Sequence, residues 1–251
     1  MESDAAAEAV RLLIEARRSG RLVERFPQAS RPTSADEADA IQQSVARDLG
    51  ERIAGWKVAL SDQYGVLRGA ILSSRLFPDG AEARASLMPA LGLEAEIAFR
   101  CLHDLPPRDA DYSRAEIEER VTALVGIEVV DSRFRDADSV PVIERAADCM
   151  SNGGFVVGAE RSDWRDIDLS ALAASLLVNG RPTVDRRIGG HATTDPMIPL
   201  IAFVNLRRAA TGLLAGQIVT TGTYTGIARC KAGDHVEAVF DGFGRAALHL
   251  R

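Results

Sequence analysis

Two glutamates two residues apart, Glu94 and Glu96, are the side chains whose type and spacing most directly suggest chemistry. They lie in residues 91–100, an otherwise largely apolar stretch that predicts a β-strand. Residues i and i+2 of a strand project from the same face, so the two carboxylates would lie side by side and repel each other. A divalent cation would remove that repulsion, because carboxylate oxygens suit magnesium, manganese or calcium.

A third acid, Glu128, interrupts a second apolar stretch at residues 125–130. A carboxylate inside an apolar strand is costly unless it is paired or bound to a metal. Two interpretations are therefore open: a three-carboxylate metal site, or a solvated sheet face carrying Glu94 and Glu96 with Glu128 paired to an arginine. Residue types and spacing do not choose between them.

Lys57 is a candidate for proton transfer. It lies among apolar residues in a predicted strand at 53–60. Burial there would lower the pKa of its amine and make it a usable proton donor or acceptor. The alternative is a lysine on the exposed face of a half-buried strand.

The elements that must position these residues form one predicted domain of mixed α and β character, with residues 1–50 helical and 53–251 rich in strands. In the helix at 35–49, Ser34 is a predicted N-cap and Glu37 a predicted capping-box partner. Helices are predicted at residues 5–16, 35–49, 114–124, 140–149 and 196–214. Strands are predicted at residues 53–60, 91–100, 125–130, 153–157, 169–178, 184–187, 218–221, 235–240 and 245–250.

Composition limits the classes of function. The chain has 251 residues, 46% of them hydrophobic, and a formal charge of -6, which argues against nucleic-acid binding through bulk charge. Its three cysteines, Cys101, Cys149 and Cys230, suggest neither a disulfide framework nor a thiolate zinc site. The acidic start and the short apolar stretches predict no signal peptide and no membrane span. We therefore expect a cytoplasmic protein that binds a small anion through local positive groups or a metal.

Several segments resemble the 2-keto-4-pentenoate hydratase and 4-oxalocrotonate decarboxylase family of the fumarylacetoacetate hydrolase superfamily. The resemblance runs from about Thr33 to Arg251, in order and with fitting gaps. Its segments are GWKVAL at 55–60, LEAEIAF at 93–99, GIEVVDSR at 126–133, SNGGFVVG at 151–158, AGQIVTTGT at 215–223 and KAGDHV at 231–236.

The resemblance implies an α/β fold like the fumarylacetoacetate hydrolase C-terminal domain, with mixed sheets rolled into a β-sandwich and flanking helices. It also implies magnesium or manganese on three carboxylates and a homo-oligomer that sometimes assembles with a sister lyase. The site residues that match the family motifs are the metal ligands Glu94, Glu96 and Glu128, the active-site Lys57, and the substrate-pocket residues Ser151, Gly222 and Thr223. By analogy with metal sites generally, Asp131 and Arg133 are expected to orient Glu128.

The sequence also departs from the family. An acid that many hydratases carry just before the glycine aligned with Gly69 is replaced by Leu67 and Arg68, and Cys149 stands where asparagine is frequent. Arg68 is instead a candidate to pair with a second substrate carboxylate.

The expected function is a lyase of aromatic catabolism that hydrates 2-hydroxy-dienoates. The alternatives are a 4-oxalocrotonate-type decarboxylase, an acylpyruvate C–C hydrolase, and a non-catalytic partner subunit. Hydrolases of the superfamily use a histidine–glutamate pair near the N-terminal side of the domain. The first histidine here is His103, and only His191 is a candidate to reach the pocket from a loop.

Overall fold

The computed structural model describes residues 3–251, so Met1 and Glu2, part of the acidic start, lie outside it. Its helices are α1 (Ser3–Ser19), α2 (Ala35–Leu49), α3 (Arg114–Glu118), α4 (Val142–Ala147) and α5 (Met197–Arg208). Its strands are β1 (Ile53–Ser61), β2 (Gly65–Leu72), β3 (Leu76–Pro78), β4 (Ala81–Ala83), β5 (Gly92–Cys101), β6 (Val121–Val130), β7 (Asn152–Arg161), β8 (Ala173–Val178), β9 (Arg181–Ile188), β10 (Ile218–Thr223), β11 (Ala228–Arg229), β12 (His235–Phe240) and β13 (Gly244–Leu250).

The strands form two sheets. The larger has the order β2-β1-β10-β5-β6-β7-β3, with β11 also paired to β5, and the smaller has the order β4-β13-β12-β8-β9. Most pairs are antiparallel, but β1 with β10, β3 with β7 and β4 with β13 are parallel. The mixed sheets confirm the predicted fold class.

Strand β5 divides its side chains between two environments, as its alternation predicts. Leu93, Ala95, Ile97 and Phe99 lie in the main hydrophobic core, together with side chains of the smaller sheet. Fully burying one such large apolar side chain is worth about 1.5–3 kcal/mol, so this face fixes the strand's orientation. The face that carries Glu94 and Glu96 must then point away from the second sheet.

The N-terminal helices α1 and α2 share a second core with Leu67 of β2 and Phe134. Helix α2 has the predicted bounds. The Ser34 hydroxyl accepts the backbone N–H of Glu37 at 3.2 Å, but the Glu37 carboxylate bonds the N–H of Thr33 at 2.7 Å and so completes no capping box with Ser34. No helix in the described part of the chain is long and apolar enough to cross a membrane.

Several predicted helices are shorter than expected. The helix predicted at 114–124 ends at Glu118, because residues from Val121 onward pair with β5 instead. The helix predicted at 196–214 ends at Arg208, and Leu213 pairs with Leu105 in an isolated bridge. Apolar residues that suggest one face of a helix can also form one face of a β-strand. Pairing with other parts of the chain then determines which element forms.

Candidate metal centre

Glu94, Glu96 and Glu128 converge on one face of the larger sheet. Glu94 and Glu128 are direct cross-strand partners on β5 and β6, and Glu96 lies opposite Gly126. One carboxylate oxygen from each glutamate lies within 4.8 Å of the others. Glu96 and Glu128 are fully buried and Glu94 is 8% exposed, so the solvated-face interpretation does not apply.

An apolar side chain, Phe155, lies beside the carboxylates on the same face of the sheet. A Cβ atom on Gly126 would lie 2.0 Å from Cζ of Phe155, so glycine makes room for this buried ring. Burial and the nearby Glu128 carboxylate raise the pKa of Glu94 to about 7. Burial, Glu128 and Glu94 raise the pKa of Glu96 well above its usual range. The site therefore concentrates negative charge where water solvates it poorly.

The hydrogen bonds at the centre leave one buried carboxylate oxygen free to bind a cation. The Thr220 hydroxyl donates to Oε2 of Glu96, and Nδ2 of Asn152 donates to Oε1 of Glu128 at 2.9 Å. The second oxygen of Glu96, Oε1, is buried without a hydrogen-bond partner among residues 3–251. Three carboxylates with an unpartnered buried oxygen fit a hard divalent cation.

Lys57 lies beside this centre. It occupies β1 directly opposite Thr220 of β10, and its Nζ is 2.9 Å from Oε2 of Glu128. Burial by itself would lower the pKa of Lys57, but the carboxylates of Glu128, Glu94 and Glu96 outweigh it, so the pKa is raised. The lysine is largely but not fully buried, with 15% of its side chain exposed, and the expected depression of its pKa is wrong because three acids lie near the amine.

A left-handed turn brings Ser151 to the same cavity. Cys149, Met150 and Ser151 have φ values of 53°, 53° and 60°, a conformation that is uncommon for residues other than glycine. A Cβ on Gly69 would lie 2.2 Å from the carbonyl oxygen of Cys149, so only glycine fits behind the turn. The cavity of about 530 Å³ is lined by Lys57 and Glu94 from the sheet and by Ser151 from this turn.

Arg133 and Asp131 support the turn, which corrects the expectation that they orient Glu128. The Arg133 side chain donates to Oδ1 of the fully buried Asp148 at 2.5 Å and to the carbonyl of Asn152 at 3.0 Å. The backbone N–H of Asp131 donates to the carbonyl of Ser151 at 2.7 Å. Besides Lys57, Asn152 contacts Glu128 through its side-chain amide, and the sequence interpretation missed this residue although it follows Ser151 directly.

Arg133→Met is expected to destabilise the protein by about 3–5 kcal/mol, because it leaves the Asp148 carboxylate buried without its main partner. The nearby Arg17 lies 3.7 Å from that carboxylate, too far for a good hydrogen bond. Urea unfolding measures the difference. Arg135→Met is the matched control: it removes an exposed pair with the exposed Glu24 and should change stability by less than about 1 kcal/mol. Equal losses in the two variants would contradict this role of Arg133.

Thr223 and Gly222 lie at the end of β10, near the glutamates. A hydrogen bond from Thr223 partly offsets the raised pKa of Glu94, so Thr223 is next to a candidate ligand. Gly222 has φ 127°, and a Cβ there would lie 3.3 Å from Nε2 of His191. Thr223 is therefore brought to the glutamates and Gly222 lies next to His191, while their expected part in binding the substrate stays a prediction.

Both ring nitrogens of His191 already have hydrogen-bond partners. Its Nε2 lies 3.0 Å from the carbonyl oxygen of Thr221, to which it must donate, and its Nδ1 accepts from Thr193. Burial lowers the pKa of His191, so the ring is neutral at pH 7. An imidazole with both nitrogens bonded is not free to activate water.

Arg68 does not reach the cavity, which corrects its expected role with a second substrate carboxylate. It pairs with Val58 across β1 and β2, whereas Lys57 pairs with Gly69, so Arg68 and Lys57 project from opposite faces. Its Nη2 lies 2.9 Å from both Asp39 and Asp36 at α2. Arg68 therefore connects the sheet to the N-terminal helices.

Comparisons with known proteins show the family and the fold of the chain. The chain is 32% identical over 245 residues to a 2-keto-4-pentenoate hydratase of Burkholderia vietnamiensis, covering 92% of both chains. It is 33% identical over 246 residues, again covering 92% of both, to one of Paraburkholderia phymatum. No protein-family model matches the sequence. Among solved structures, 4-oxalocrotonate decarboxylase from Pseudomonas putida G7, complexed with magnesium and adipate, superposes with a TM-score of 0.84 at 19% identity, over 100% of this chain and 99% of that one.

Proposed function

Since the chain belongs to the 2-keto-4-pentenoate hydratase family of the fumarylacetoacetate hydrolase superfamily, we propose that it is a divalent-metal-dependent lyase that adds water to small 2-hydroxy-dienoates. The observation that carries the proposal is the convergence of three buried carboxylates beside Lys57, with Lys57 and Glu94 at the wall of one cavity. The relatives' names support the substrate class, of which 2-hydroxypenta-2,4-dienoate is the simplest member.

Glu94, Glu96 and Glu128 would hold magnesium or manganese, the cations best matched by an all-carboxylate set. When bound, the ion supplies positive charge against the carboxylate and the C2 oxygen of a 2-hydroxy acid. The three carboxylates are buried beside Phe155, where electrostatic attraction is less screened than in water.

Lys57 would carry the proton. Its amine lies at the cavity wall and is held at 2.9 Å from Glu128, so Nζ is positioned beside the acid that would bind the metal. In the ketonisation that precedes hydration, the Nζ ammonium would first donate a proton to the carbon chain and then take the proton of the C2 hydroxyl, so that Lys57 returns to its charged form. The hydroxyl of Ser151 and the Gly222–Thr223 segment would hold the substrate in place.

Asn152 should tune the metal affinity. Asn152→Leu keeps the side-chain volume but removes the only side-chain amide that donates to Glu128 within residues 3–251. Loss of a hydrogen bond to a ligand typically weakens metal binding about 10–100-fold, and we expect that range in a calorimetric Mn²⁺ titration. Asn205→Leu is the control: it removes hydrogen bonds to the backbone of Tyr112 and should leave the Mn²⁺ affinity unchanged. An unchanged affinity in Asn152→Leu would contradict the role of Asn152.

An absorbance assay tests the reaction. Purified protein is given 2-hydroxypenta-2,4-dienoate, 2-hydroxymuconate or an acylpyruvate, each with and without magnesium or manganese. We expect metal-dependent loss of the dienoate absorbance with formation of a 4-hydroxy-2-oxo acid. Cleavage of the acylpyruvate alone would point to C–C hydrolysis instead.

Decarboxylation is the second candidate. The sequence of β2, GVLRGAIL, contains no acid, its Leu67 packs against the N-terminal helices, and its Arg68 is bonded to α2. Strand β2 therefore gives the cavity no carboxylate to activate water, and decarboxylation needs none. Carbon dioxide release from 2-hydroxymuconate, with no hydration of the monoacid, would place decarboxylation first.

A non-catalytic partner role is the remaining alternative. Lys57 and the three glutamates all come from this one chain, which supports activity without a sister subunit. We propose that the protein works as a homo-oligomer, as the family resemblance implies. Light scattering on the purified protein gives its mass, and turnover in the same preparation tests whether a partner is required.

A further inference from the structure

Arg145 is the one arginine on the cavity wall that lacks a partner within residues 3–251. It lies on α4 and lines the same cavity as Lys57 and Glu94. Its Nε is buried without a hydrogen bond. The other two wall arginines are engaged: Arg135 pairs with Glu24, and Nη1 of Arg229 donates to the carbonyl of Ala90 at 2.8 Å.

An unpartnered guanidinium beside a cavity is suited to bind an anionic group of a ligand. A buried donor without an acceptor costs free energy, and this cost is recovered when a ligand supplies the acceptor. The planar fork of donors on arginine matches a carboxylate through two parallel hydrogen bonds. The acids Asp136 and Asp138 also line the cavity, but both are exposed and neither bonds Arg145.

Arg145 reaches the cavity from a different element than Lys57 and Glu94 do. Lys57 and Glu94 project from the sheet, whereas Arg145 projects from a helix that precedes the left-handed turn. A cavity of about 530 Å³ is within the usual size range for small-ligand sites and has room for a chain of several carbons. One carboxylate of a diacid would then lie at the glutamate centre and the other at Arg145.

We propose that Arg145 binds a second, distal carboxylate, so that the preferred substrates are 2-hydroxy-dienoates that carry an acid at both ends. This inference rests on the proposed function for the identity of the reacting end. It gives Arg145 the role that the sequence had suggested for Arg68.

Binding of two non-reacting analogues tests the proposal. The probes are 2-oxoadipate and 2-oxohexanoate, which have six carbons each and differ in the distal carboxylate. Calorimetric titration into magnesium-loaded wild-type protein should show 2-oxoadipate binding about 10–100-fold more tightly, the range for a charged hydrogen-bonded pair. Arg145→Met should lose most of this preference, and Arg145→Lys should retain part of it.

Arg135→Met is the matched control, because it removes a wall arginine that already has a partner. It should keep the wild-type preference. Equal binding of the two analogues by wild-type protein, no measurable binding of 2-oxoadipate, or an unchanged preference in Arg145→Met would each overturn the proposal.

Turnover separates this inference from the proposed function. Arg145→Met should hydrate 2-hydroxypenta-2,4-dienoate, which has no distal carboxylate, within a few fold of the wild-type rate. If neither protein converts any dienoate while Arg145→Met still loses the preference for 2-oxoadipate, the hydratase proposal fails and the carboxylate subsite stands. If both proteins hydrate the monoacid and neither distinguishes the analogues, the subsite fails and the hydratase proposal stands.

Discussion

Lys57→Met should lower turnover by about a hundredfold or more, the usual scale for a general acid–base group. The side chain is 15% exposed, and its Nζ lies against Glu128 at the wall of the cavity. Methionine keeps most of the aliphatic volume while it removes the only ammonium group that acts on Glu94 and Glu96 within residues 3–251. The decrease in turnover should therefore appear as a lower kcat when the protein is saturated with metal.

The control comes from the sequence, which contains only two lysines, Lys57 and Lys231. Lys231 is exposed in the turn before β12, so Lys231→Met should leave the rate unchanged. Circular dichroism and an Mn²⁺ titration establish that Lys57→Met is folded and binds metal. A decrease of only a few fold in such a protein would exclude Lys57 from proton transfer.

Glu96→Gln should have two opposite effects. It removes a charged ligand, so Mn²⁺ affinity should fall by more than about a hundredfold, beyond the range for a residue that only supports a ligand. It also relieves the repulsion among three buried carboxylates, so the metal-free variant should be more stable than metal-free wild type. If the Glu96 carboxylate instead stabilised the metal-free fold, the metal-free Glu96→Gln variant would be less stable than metal-free wild type.

Calorimetry measures the affinity, and urea unfolding without metal measures the stability. Glu82→Gln is the control because Glu82 is exposed and pairs with Arg251 at the surface. It should change neither quantity beyond about 1 kcal/mol. A Glu96→Gln protein that binds Mn²⁺ like wild type would remove Glu96 from the ligand set.

Local patterns identified the candidate glutamates, although only the family resemblance favoured the metal-site interpretation. Alternation along β5 places Glu94 and Glu96 on one face, and an acid within an apolar run marks Glu128. The role of Arg68 was not predictable, because its direction depends on the pairing of β2 with β1, and the residues of β2 show no clear alternation. When a strand is not recognised in the sequence, the side of the sheet on which each of its side chains lies cannot be predicted.

The left-handed turn was hidden for a different reason. Cys149, Met150 and Ser151 adopt positive φ without glycine, so residue types give no indication of it. Its supports, Asp148 and Arg133, are 15 residues apart and meet only in the folded chain. Asn152 was missed for the same reason, since its contact with Glu128 joins β7 to β6.

The central claim is that Glu94, Glu96 and Glu128 together bind one divalent cation on which the lyase activity depends. Its most direct test is a titration of metal-free protein with Mn²⁺, in which bound metal and hydration of 2-hydroxypenta-2,4-dienoate are followed in the same samples. We predict one strongly bound ion per chain, no activity in its absence, and activity that returns in proportion to the bound metal. Full activity in metal-free protein, or Mn²⁺ binding unconnected with the rate, would contradict it.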